Sequence, residues 1–75
     1  MIFTINSALE FLIQEGERIR RANMLMCGAT DPEASLKFRI DAAQRALDQW
    51  AAGSFQHQNL LSQVPSLVQF LKVSA

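Results

Sequence analysis

Two prolines, Pro32 and Pro65, constrain this 75-residue chain more than any other feature. A proline inside a helix removes a hydrogen bond and clashes with the preceding turn, costing about 3 kcal/mol or more, yet it is tolerated in a first turn. Each proline therefore marks a boundary. Around them the apolar residues recur at three- and four-residue spacing and do not alternate. This predicts an all-α fold class: a small helical bundle in which a helical hairpin is closed by a third helix broken at Pro65, three to four helices in one domain over residues 1–75.

The first helix is expected to start at Ser7-Ala8-Leu9-Glu10, which has the form of a capping box, with residues 1–6 ahead of it as an extended N-terminal arm. Leu9, Leu12, Ile13, Gly16, Ile19 and Met26 share a face and read as the packed side, with Gly28 as the stop after Cys27. Gly16 interrupts that face. Glycine in a helix interior costs roughly 0.5–1 kcal/mol against alanine, so its presence there predicts close helix approach.

Thr30-Asp31-Pro32-Glu33 predicts the start of the second helix, with Thr30 or Asp31 as cap and Pro32 in the first turn. Leu36, Ile40, Ala43, Leu47 and Trp50 form its seam, Glu33, Lys37, Asp41 and Arg45 a ladder of i,i+4 charges, and Gly53 its end. Ser54 caps a third helix through Val64, and residues 66–72 carry Leu67, Val68 and Leu71 on one face.

Seven Lys and Arg balance seven Asp and Glu, so no net field steers the chain toward nucleic acid or anionic lipid. Residues are 49% apolar, and no stretch reaches the ~20 needed to span a bilayer. With one cysteine and no basic leader at the N-terminus, a cytoplasmic location is expected. Catalysis needs convergent titratable groups, and one Cys and one His with no tyrosine supply few. The reading is therefore no enzyme, no cofactor and no metal: Cys27 as a small buried thiol, His57 as a solvated surface residue.

Apolar residues remain once these seams are filled. Phe38 lies well away from the Leu36 stripe, Ala42 extends a second strip, and Phe11, Met24, Met26 and Phe70 are surplus elsewhere. These six predict a partner-binding surface for another protein or for a second copy, with a homodimer favoured by the zero charge. Arg18 and Arg21 share a helix flank and offer the alternative, a nucleic-acid-associated transcriptional or nucleoid modulator in which a dimer doubles the charge.

The tail Val64-Pro65-Ser66-Leu67-Val68-Gln69-Phe70-Leu71-Lys72 resembles, over nine residues, the closing segment of the Hha/YmoA nucleoid-modulator family. The resemblance implies a small helical protein that acts by covering another protein's surface. The expected function is a non-enzymatic protein-binding module, a regulator, inhibitor or assembly subunit of the sort that phages and mobile elements encode.

Overall fold

A computed structural model describes residues 5–72 as α1 (Ile5–Ala29), α2 (Leu36–Leu47), α3 (Phe55–Gln63) and a 3₁₀ helix over Pro65–Phe70. The all-α hairpin closed by a helix broken at Pro65 is the fold that forms. Val64 leaves helical geometry at φ −129°, ψ 55°, and Pro65 opens the 3₁₀ helix, where its missing amide breaks no bond.

The helix boundaries differ from the expected ones. Ile5 and Asn6 are already helical, so Ser7 is not the N-cap; residues 1–4 of the expected arm lie outside the described residues. A capping preference of about 1 kcal/mol does not by itself decide where a 25-residue helix starts. Gly28 stays inside α1, which ends one residue later. There the Thr30 amide and hydroxyl both donate to the Met26 carbonyl, at 3.0 and 2.8 Å, and Arg39 Nε donates to the Ala29 carbonyl at 3.0 Å.

Asp31 does not cap α2. Its carboxylate accepts the Glu33 amide at 2.9 Å in a local turn, and Pro32 disfavours helical geometry at Asp31. The cap passes to Ser35, whose hydroxyl accepts the Phe38 amide at 3.2 Å. Glu33 thus precedes the helix and the charge ladder shortens, while Asp41 and Arg45 pair at 3.0 Å. α2 stops at Leu47 and not at Gly53, which instead takes the left-handed φ of 80° in the turn before α3. Ser54 caps α3 as expected, accepting the His57 amide at 3.2 Å.

These boundaries position everything that follows. At 1.5 Å per residue, the 25 residues of α1 extend about 37 Å and the 12 of α2 only about 18 Å. Half of α1 therefore has no hairpin partner. The core gathers at the other half: Ala22, Met26 and Ala29 of α1 meet Ala42, Ala43, Ala46 and Leu47 of α2, with Leu60, Val64, Leu67 and Leu71 closing the far side. Alanines at the contact let the two helix backbones approach closely.

Beyond the burial of Leu67 and Leu71, the C-terminal segment is held by the side chain of Gln44. Gln44 Oε1 accepts the Lys72 amide at 2.7 Å, and its Nε2 donates to Asp48 at 3.1 Å and to the Lys72 carbonyl at 3.4 Å. The molecule measures 46 × 27 × 15 Å with a radius of gyration of 14.5 Å, against about 11 Å for a compact chain of this length. The excess comes from the uncovered part of α1.

Candidate interaction surface

From Ser7 to Arg21 no side chain of α1 is buried, and only Glu15 and Arg18 are half-buried. Leu9, Phe11, Leu12 and Ile13 are each 52–63% exposed, and Ile19 is 49% exposed. Taking Leu9 as zero and about 100° per residue, Leu12, Gly16 and Ile19 fall within about 80° of it, whereas the buried Ala22, Met26 and Ala29 centre about 90° round from that stripe. α1 therefore has two seams. One, running from Arg18 through Ala22 to Ala29, packs on the body; the other, Leu9-Leu12-Gly16-Ile19, faces outward.

Gly16 sits in the middle of the outward stripe, and no described side chain approaches it. A Cβ built there would meet nothing within 4 Å. The expected close approach occurs instead at Gly28, where a Cβ would lie 3.0 Å from Cε1 of Phe38. Phe38 is thus at the edge of the α1–α2 contact, half exposed and half laid over a glycine, and not on the opposite side of α2.

The expected partner-binding residues divide. Phe11, Met24, Phe38 and Phe70 are exposed. Met26 and Ala42 are corrected to the core, at 5% exposure each: the buried face of α2 takes in Ala42 and Ala46 beside Ala43 and Leu47 of the expected seam, with Ile40 and Trp50 packed against it, while Leu36 at the start of that seam is 50% exposed. Successive 100° steps turn Met26 inward and Cys27 outward, so the thiol expected to be buried is exposed. His57, expected on the surface, is buried in the first turn of α3 one turn before Leu60, and its Nδ1 makes no hydrogen bond to any described residue.

Arg18 and Arg21 do not form a free basic pair. Arg18 bonds Glu15 at 3.2 Å, and its guanidinium lies 5.6 Å from the centroid of the Trp50 ring. Trp50, just past α2, marks where the body ends against α1. Beside it an open groove of about 210 Å³, mainly apolar, runs between α1 and α3 and is lined by Ile19, Ala22, Asn23, Trp50, Asn59 and Leu60 among others. Ile19 belongs to both, so the groove continues the outward stripe.

Leu9, Leu12, Ile13 and Ile19 are the surface residues that sequence reasoning assigned to the core. Two features separate them: α2 ends at Leu47, short of Leu9, Leu12 and Ile13, and the body packs on the Ala22, Met26 and Ala29 side, about 90° round from the stripe that includes Ile19. Among the described residues no group of three or more His, Cys, Asp or Glu could hold a metal ion, and no helix is long and apolar enough to cross a membrane. Compared with family models, curated proteins and solved structures, the chain matches none.

Proposed function

We propose that this chain is a non-enzymatic protein-binding module, a regulator, inhibitor or assembly subunit working in the cytoplasm, which acts by burying the outward stripe of α1 against another protein surface. The observation that carries the reading is the uncovered half-helix. An isolated helix shorter than ~12–15 residues is marginal in water, and most helical stability in proteins comes from covering an amphipathic face. Leu9, Leu12 and Ile13 of α1 form such a face, and each is more than half exposed. Contiguous exposed apolar surface of this kind is typical of protein contact sites.

The test is a variant with Leu9→Asp and Leu12→Asp. Both side chains are more than half exposed, so the thermal melt should stay that of the parent while capture of partners from the native cell is lost. A doubly substituted protein that captures the same partners as the parent would contradict the proposal.

A further inference from the structure

We infer that the apolar groove between α1 and α3 binds an uncharged, extended peptide segment of another protein, one apolar side chain of which enters beside Trp50 while carboxamides on the rims bond the backbone on either side of it. This site is additional to the outward stripe proposed above and rests on its own size, charge and hydrogen-bonding groups.

Size comes first. At about 210 Å³ the groove is smaller than the roughly 300–1,000 Å³ of pockets that enclose a cofactor or drug-sized molecule. Ile19, Ala22, Trp50 and Leu60 make its walls apolar, and it opens to the surface. What suits it is a single apolar side chain, with the chain that carries it lying across the mouth.

Charge is the second selector. None of the residues lining the groove is charged, and Arg18, whose guanidinium lies 5.6 Å from the centroid of the Trp50 ring, already bonds Glu15 at 3.2 Å. A carboxylate or phosphate would enter without a counter-ion, a cost that a neutral segment avoids.

Hydrogen-bonding capacity is the third. Asn23, one turn beyond Ile19 on α1, and Gln56 and Asn59, three residues apart on α3, line the groove from its two sides. Their side-chain carboxamides make no hydrogen bond to any described residue. Each offers an acceptor and two donors, and a peptide group laid against apolar surface needs partners for both its N–H and its C=O. The chain itself contains this match: Gln44 Oε1 accepts the Lys72 amide at 2.7 Å, and Gln44 Nε2 donates to the Lys72 carbonyl at 3.4 Å. A hydrocarbon would use none of the three carboxamides. A nucleotide's base could pair with them, but its phosphate would find no cation among the lining residues.

Trp50 is the one tryptophan of the chain and lines the groove, so its fluorescence reports occupancy. The probe is the blocked peptide acetyl-Ala-Leu-Ala-amide. It should shift Trp50 emission saturably, with a dissociation constant in the roughly 0.1–10 mM range that so small a ligand allows. Replacing its leucine by alanine should weaken binding at least about tenfold through lost apolar burial. Methylating its backbone amides should also weaken binding at least about tenfold, because the donors that the carboxamides meet are gone. Asn23→Ala and Asn59→Ala, both at exposed positions, should each weaken it about three- to tenfold, the worth of one neutral hydrogen bond, with the thermal melt of the parent. The Leu9→Asp, Leu12→Asp protein should bind the peptide as the parent does, so the groove and the stripe stand or fall separately. No saturable change in Trp50 emission, equal binding of the methylated peptide, or parent-like affinity in both asparagine variants would each overturn the peptide site. Adenosine shifting Trp50 as strongly as the peptide would overturn it too, in favour of a flat ring.

Discussion

Gly28 of α1 and Phe38 of α2 approach so closely that a methyl group on Gly28 would lie 3.0 Å from the ring's Cε1. The ring is half exposed and free to give way at its outer end. Two effects then oppose each other in Gly28→Ala: a gain of about 0.5–1 kcal/mol from helix propensity and a loss from moving the ring. The variant should melt within about 0.5 kcal/mol of the parent. Gly28→Leu cannot be accommodated by the ring alone and should cost about 1–3 kcal/mol, read from urea melts; a stabilised Gly28→Leu protein would show that the contact does not hold α1 to α2.

Leu47 and Leu67 are the largest fully buried side chains, at 1% exposure each, one on α2 and one in the 3₁₀ helix. Truncating either to alanine should remove about 2–5 kcal/mol, much of a small domain's stability. Circular dichroism should register lost helicity in both. A Leu67→Ala protein as stable as the parent would mean that the segment after Pro65 is not part of the core.

His57 is buried with an Nδ1 that makes no described hydrogen bond. A buried unmatched polar atom costs about 1–3 kcal/mol, and an apolar side chain of similar size avoids that cost. His57→Leu is therefore expected to equal or exceed the parent in its urea midpoint. A loss above about 1 kcal/mol would show that the imidazole has a polar role in the core.

Gln44→Ala removes the hold on the backbone of Lys72 and should cost about 1 kcal/mol, the net worth of an ordinary hydrogen bond. Amide exchange at Lys72 and Leu71 should speed up while that of α2 does not. Equal exchange in both proteins would assign the anchoring to Leu71 packing alone.

The sequence makes the hairpin legible because Pro32 and Pro65 leave few ways to divide the chain, and Ser54 is a cap with a single plausible helix after it. Where α2 begins and ends was not legible. Asp31 can cap a helix or close a local turn, and only the positions of Thr30 and Arg39 at the end of α1 decide between them. The larger miss concerns α1: the body packs on the Ala22, Met26 and Ala29 side, about 90° or more round from Leu9, Leu12 and Ile13, and an α2 of about 18 Å ends short of them. Gly16 then lies at an exposed position and not at a point of packing. His57 and Cys27 were misplaced for a simpler reason, since a step of one residue on a helix turns a side chain by about 100°.

Site-resolved amide hydrogen exchange tests the division of α1 most directly. In dilute solution, the amides of residues 9–19 should exchange at least about a hundredfold faster than those of residues 22–29, because only the second group opens with the core. Equal protection along the whole of α1 in dilute solution would mean that the outward stripe is covered within its own chain, and would contradict the account.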